Sequence, residues 1–262
     1  MEKLDYQNGE YRTVPRNPSL IGRLCPALSV YSSIVRIVVT GSCRAKRGLY
    51  GDLEWSQSSL EALRALERAG GIFEVTGTDN FRAIEGPCVF IGNHMSTLET
   101  FVLPGLIQPF KRVTFVVKQS LVDYPVFKHI MRTRDPITVG RTNPREDLKV
   151  VLEGGEAKLK AGTSLVIFPQ TTRSEVFDPS QFNTIGVKLA RRAGVPVVPV
   201  ALLTDAWGNG KHLKDFGRID PSRKVHFAFG EPMQITGRGD EEHQKIIEFI
   251  TGKLFEWGRG RR

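Results

Sequence analysis

From residue 71 to the C-terminus, short apolar runs alternate with stretches in which apolar residues return every three or four positions. That is the pattern of strands and helices in alternation. The runs at residues 72–76, 88–91, 112–117, 137–139, 164–168, 197–203 and 224–229 read as strands. Residues 183–193, closed by Gly194, and 241–257 read as helices, and 258–262 as a frayed basic tail. Short strands alternating with helices predict an α/β fold, a largely parallel mixed sheet flanked by helices. Ahead of it, Ile21, Leu24, Leu28, Tyr31, Val35 and Val38 recur at three- and four-residue spacing, opposite Gly22, Pro26, Ser29, Ser33 and Arg36. This is an N-terminal amphipathic helical segment. A second helix is predicted over 59–69, from Leu60, Leu63 and Leu66, with an S-x-x-E box at Ser58–Glu61 and Gly70 at its end. The chain divides accordingly into a basic helical segment, 1–70, and an α/β domain, 71–262, with no internal repeat.

Charge changes what the first segment means. The chain carries a net charge of +9. Residues 11–50 hold Arg12, Arg16, Arg23, Arg36, Arg44, Lys46 and Arg47 with no Asp or Glu, which points to an anionic surface. The longest uncharged stretch there, residues 24–35, is short of the roughly 20 apolar residues of a spanning helix. The expectation is a helix lying on a membrane, each basic residue contributing about 1 kcal/mol. The alternative is a helix packed on the domain with its arginines solvated. At 262 residues and 40% hydrophobic composition, the chain buries a core without disulfides. Cys25, Cys43 and Cys88 are odd in number and unpaired in spacing, and no signal-peptide pattern opens the chain, so a cytoplasmic setting is expected.

Two strand ends carry candidate chemistry. After the run ending at Gly92 comes Asn93-His94-Met95-Ser96-Thr97-Leu98-Glu99. A hydroxyl nucleophile needs a base with a pKa near neutrality, and a carboxylate on the other ring nitrogen fixes the imidazole tautomer, so His94 and Glu99 fit a base and its orienter. Ser96 to Glu99 equally fits a capping box for the apolar run that follows, and on this segment both readings stand. After the strand at 164–168 comes Pro169-Gln170-Thr171-Thr172-Arg173-Ser174. An arginine fork beside exposed loop amides suits phosphate, carboxylate or an oxyanion, while the plain alternative is a solvated turn. His129, His212, His226 and His243 lack ligand spacing, so no metal is expected.

With these blocks in view, the chain resembles the phospholipid/glycerol acyltransferase family, best known for the 1-acyl-sn-glycerol-3-phosphate acyltransferases. Four motifs in order carry the resemblance: Asn93 to Glu99, like N-H-x4-D; Ile137-Thr138-Val139-Gly140-Arg141; Phe168 to Ser174, like F-P-E-G-T-R-S; and Val195-Pro196-Val197-Val198-Pro199-Val200, like V-P-[IV]-[IV]-P-V. The match runs from about residue 71 to 232. It implies transfer of a fatty acyl group from acyl-CoA or acyl carrier protein, the donor substrate, to the free hydroxyl of a lysophospholipid. The acceptor implied is 1-acyl-sn-glycerol 3-phosphate, giving phosphatidic acid. His94 would take the hydroxyl proton, held by Glu99; Arg141 and Arg173 would clamp the phosphate; and Gln170, Thr171 and Thr172 would line the substrate loop. No cofactor is implied beyond the donor, and the partners are an anionic membrane surface and not nucleic acid.

Three residues depart from the family pattern. Glu99 replaces aspartate, lengthening the stem by a methylene. Gln170 replaces glutamate, exchanging charge for an amide that both donates and accepts. Thr171 replaces glycine and resists close backbone approach. The departures at Gln170 and Thr171 leave an acyltransferase with a different lipid acceptor as an alternative. Two rival classes are a basic peripheral protein that binds anionic lipid or nucleic acid without turnover and a hydrolase using water as acceptor. The chain has no G-x-S-x-G nucleophile elbow.

Overall fold

In the computed structural model, which describes residues 4–170, 172–211 and 213–259, the apolar runs pair into one eight-stranded sheet. In chain order the elements are β1 (Tyr11–Arg12), α1 (Leu20–Leu24), α2 (Pro26–Lys46), α3 (Asp52–Arg68), β2 (Phe73–Thr76), α4 (Thr78–Arg82), β3 (Val89–Gly92) and α5 (Leu98–Ile107). There follow β4 (Val113–Lys118), α6 (Gln119–Val122), α7 (Phe127–Thr133), β5 (Ile137–Val139), α8 (Pro144–Lys160) and β6 (Ser164–Ile167). The last are α9 (Ile185–Ala193), β7 (Val197–Leu203), β8 (Val225–Phe229) and α10 (Asp240–Glu256). The sheet order is β1-β2-β8-β7-β3-β6-β4-β5. Only β1 with β2 and β7 with β8 run antiparallel.

All seven expected strands are present. The added strand, β1, is two residues long on the sheet edge, too short to show a period. Strands β3, β6, β7 and β8 are buried along their whole length, as strands covered on both faces must be. One face packs on α2, α3 and α5 through residues such as Ile34, Leu63, Leu66, Val102 and Leu106. The other packs on α8, α9 and α10 through Val151, Leu159, Leu189, Ile246 and Ile250.

The N-terminal segment corrects the reading in two respects. The expected single helix is broken at Cys25, which precedes Pro26 and sits at φ −139°, ψ 72°; proline disfavours helical backbone in the residue before it. The core-facing stripe of α2 is Val30, Ile34, Ile37 and Gly41, whereas Ile21, Leu24, Leu28 and Val35 of the expected stripe are exposed. Tyr31 and Val38 of that stripe are half-buried against the core, so the expected stripe straddles the boundary between core and surface. By length and composition α2 is long and apolar enough to cross a membrane, beyond what the uncharged stretch alone indicated. Helix α3 begins at Asp52, ahead of the Ser58 box. Its N-terminus is closed by Glu54, whose Oε2 accepts the Gly51 N–H at 2.8 Å.

Candidate active site

Three neighbouring parallel strands, β7, β3 and β6, deliver their C-terminal ends to one place, where open α/β sheets bind ligands. A Cβ at Gly92 would stand 2.9 Å from the Val200 carbonyl oxygen, so glycine lets β3 and β7 close at that end. Beyond it the Asn93 side chain continues the ladder. Its Nδ2 donates to Leu202 O at 2.9 Å and its Oδ1 accepts from Leu202 N at 2.8 Å. The next residue, His94, is thereby fixed at the mouth of the sheet. Its N–H donates to Gln170 Oε1 at 2.6 Å, and its carbonyl accepts from Ser174 N at 2.9 Å.

The imidazole of His94 stacks on Phe168, with centroids 4.4 Å apart and planes 7° from parallel. Its Nδ1 lies 2.9 Å from Glu99 Oε1. Glu99 has no exposed surface. The same Oε1 accepts the Met95 and Ser96 N–H groups at 2.6 and 2.8 Å. On the other side Oε2 receives the Ser96 and Thr204 hydroxyls at 3.0 and 2.5 Å. Burial pushes the Glu99 carboxyl up. The His94 hydrogen bond and charge, with Thr204 and Ser96, outweigh that and hold it below the usual carboxylate range. Its place in the first turn of α5 favours the same ionised form. An ionised carboxylate only accepts, so Nδ1 carries the imidazole proton and Nε2 is the basic nitrogen. The two readings of the segment are therefore compatible: one carboxylate closes the start of α5 and orients the histidine.

Arg173 reaches the same helix start. Its Nη1 pairs with Asp215 Oδ1 at 2.8 Å and contacts Thr97 Oγ1, and the side chain is largely shielded. A guanidinium has five N–H donors, and among the described residues the contacts of Arg173 use one nitrogen of the fork. Gln170 is buried with its oxygen on the His94 N–H, a bond that a glutamate in its place would also accept. Thr172 is exposed and accepts from Lys214 Nζ at 3.1 Å. Thr171 lies outside the described residues, as does His212. Arg141 follows β5, at the sheet edge, three strand spacings from β3 or about 14 Å. It has a left-handed φ of 61°, and Asp147 accepts its N–H at 2.8 Å and that of Gly140 at 2.9 Å. His94, Glu99, Gln170 and Arg173 thus share one cluster, and Arg141 stands apart on the same edge of the sheet.

The sequence reading does not single out the loop after β7, yet it touches Glu99, Arg173 and the backbone between His94 and Glu99. Thr204 meets Glu99, Asn209 Nδ2 donates to Met95 O at 2.9 Å, and Asp215 meets Arg173. Tyr31 of α2 donates to Gly217 O at 2.6 Å and packs against Trp207 and Phe216. A Cβ at Gly217 would come within 1.8 Å of Gly208 O, so the loop closes on itself only through glycine. The signal was available: Thr204-Asp205-Ala206-Trp207-Gly208-Asn209-Gly210 is a polar, glycine-bearing loop directly after a wholly apolar strand, like the two loops that were noticed.

Comparison with known proteins places this geometry. The family model described as Acyltransferase matches residues 72–203. A 1-acyl-sn-glycerol-3-phosphate acyltransferase of Pseudomonas aeruginosa is 38% identical over 206 residues, covering 77% of this chain and 76% of that protein. A chloroplastic 1-acyl-sn-glycerol-3-phosphate acyltransferase of Brassica napus is 30% identical over 138 residues, 53% of this chain and 38% of that protein. The crystal structure of a 1-acyl-sn-glycerophosphate acyltransferase from Thermotoga maritima superposes with a TM-score of 0.67 at 19% identity, over 92% of this chain and 98% of that one. That structure shares the fold.

Proposed function

This chain belongs to the acyltransferase family, and from that membership we propose that it acylates the free hydroxyl of 1-acyl-sn-glycerol 3-phosphate, giving phosphatidic acid. The donor is a fatty acyl thioester of coenzyme A or acyl carrier protein. The observation that carries the mechanism is the 2.9 Å contact from Glu99 to His94 Nδ1, made by a carboxylate whose neighbours are all donors. Nε2 takes the acceptor proton as the hydroxyl oxygen attacks the thioester carbonyl, and Glu99 stabilises the imidazolium that forms. The tetrahedral intermediate collapses to the new ester, and the departing thiolate takes the proton from the imidazolium. The donors that Arg173 keeps beyond Nη1 clamp the acceptor phosphate bidentately, with Thr172 beside it and Arg141 reaching in from the sheet edge.

Residues 1–70 bring this site to its lipid, and residues 71–262 do the chemistry. The boundary is one of role, since α3 packs in the same core as the sheet. Leu20, Ile21, Leu24, Leu28, Val35 and Val39 stand exposed on α1 and α2, with Arg23 and Arg36 also exposed there and Arg16 exposed just ahead of α1. The opposite face of α2 is core, which supports a protein resting on the cytoplasmic leaflet, peripheral or monotopic.

The test is thiol release from a long-chain acyl-CoA, with and without 1-acyl-glycerol 3-phosphate, in wild type and His94→Ala. Release that requires the acceptor and disappears in the variant is expected. Free fatty acid formed at one rate with or without acceptor would make the protein a hydrolase, and an active His94→Ala protein would remove the mechanism.

A further inference from the structure

Thr204 lies one residue past the segment matched by the family model, at the end of β7, and is wholly buried. Its Oγ1 is 2.5 Å from Glu99 Oε2 and 2.9 Å from Ser96 Oγ. Ser96 Oγ in turn accepts the Leu98 N–H at 3.1 Å. Each hydroxyl has one proton to give. That of Thr204 goes to Glu99, which only accepts, and Ser96 Oγ stands 3.0 Å from both Glu99 Oε2 and Thr204 O, so the two hydroxyls bracket Oε2. Thr204 makes the shortest side-chain contact to Oε2, the carboxylate oxygen that does not face His94. Glu99 carries one methylene more than the aspartate of the family motif, so its carboxylate needs a second anchor to keep Oε1 on His94.

We propose that Thr204 is a positioning residue of the His94–Glu99 pair, fixing Oε2 so that Oε1 faces the imidazole. The inference rests on the acyl-transfer reading above. A packing role alone is separable from it, because valine fills the space of threonine and lacks only the hydroxyl. The remaining ionisable side chains tied to this segment, Arg173 and Asp215, meet it at Thr97 and are left in place by the substitution.

The experiment compares Thr204→Val, Thr204→Ser and Thr204→Cys with wild type and His94→Ala, recording kcat, acceptor KM, the pH profile of kcat/KM and the melting temperature. A hydrogen bond to a buried charge sets the scale, so Thr204→Val lowers kcat about 10- to 100-fold with acceptor KM unchanged. The base and its carboxylate titrate as a pair, and the lost hydroxyl no longer favours the charged carboxylate, so the acid limb of the profile moves from its wild-type position. Thr204→Ser restores both. An acid limb at its wild-type position in Thr204→Val, or a Thr204→Ser protein as impaired as Thr204→Val, would overturn the proposal. Should Thr204→Val fail to fold, Thr204→Cys, a weaker donor of similar shape, also moves the acid limb, and a wild-type profile there overturns it equally. Full activity in His94→Ala would instead bring down the acyl-transfer reading, and the role of Thr204 with it.

Discussion

Two regions of this molecule treat the hydrophobic rule in opposite ways. At the ends of β3, β6 and β7 a carboxylate sits with no exposed surface, and at α2 leucine and valine face outward, Leu28 at 63% and Val35 at 52% exposure. The carboxylate is tolerable because donors occupy both of its oxygens; an unpaired buried charge would drive its own neutralisation. The exposed apolar side chains form a stripe and not scattered points, and a stripe of that kind marks a contact outside the chain. The contrast separates residues kept for the fold's internal order from residues kept for a surface the protein meets.

The comparison breaks most visibly at Glu99. In Glu99→Gln an amide NH2 takes the place of an oxygen that accepts from the Ser96 and Thr204 hydroxyls, so both hydroxyls must reverse their bonds. It also leaves no charge to stabilise the imidazolium. The expected outcome is a fall in kcat of about 10^3- to 10^4-fold, with a lowered melting temperature. A Glu99→Gln protein with more than a tenth of wild-type kcat would remove the carboxylate from the chemistry.

Next in size is the inner face of α2. Ile34 is buried in the core shared with α3 and the sheet, so Ile34→Ala should cost about 2–4 kcal/mol in a urea titration, leaving vesicle binding by the folded protein unchanged. An unchanged urea midpoint would show that α2 is not part of the folded domain's core.

The two regions also differ in how far they were legible. The strands read through because β3, β6 and β7 are apolar but for Ser164 at the start of β6, and end in polar, motif-bearing loops. His94, Glu99 and Arg173 fall directly at those ends. Thr204 and Asp215 did not read through, because a threonine after a strand and an aspartate in a glycine loop carry no periodicity, and their partners are about a hundred and about forty residues away in the chain. On α2 the pattern was visible but ambiguous. Val30, Ile34 and Ile37 recur at three- and four-residue spacing as Leu24, Leu28 and Val35 nearly do, and only tertiary packing decides which of them go inside. Sequence had shown Gln170 as a change of charge; the structure shows an oxygen on the His94 N–H, where the change matters less.

The outer face sharpens the comparison. The double variant Leu28→Ser, Val35→Ser should leave the urea midpoint within about 0.5 kcal/mol of wild type, because neither side chain is in the core. Partition onto anionic vesicles, measured by sedimentation, should fall about tenfold for each residue. If stability drops and partition does not, the outer stripe belongs to the fold and the attachment surface lies elsewhere.

The smallest effect expected is that of a single charge. Arg23 is exposed in the last turn of α1, and beside an anionic leaflet it contributes about 1 kcal/mol, so Arg23→Gln should weaken vesicle binding about fivefold at physiological salt. The distinguishing property is its salt dependence. Raising ionic strength to 1 M shortens the screening length to about 3 Å and should bring wild type and variant together, whereas the loss caused by Leu28→Ser, Val35→Ser should persist. A deficit in Arg23→Gln that survives 1 M salt would mean that the arginine acts through the packing of its aliphatic stem and not through its charge. The division of the attachment surface into an apolar stripe and a basic flank would then have to be redrawn.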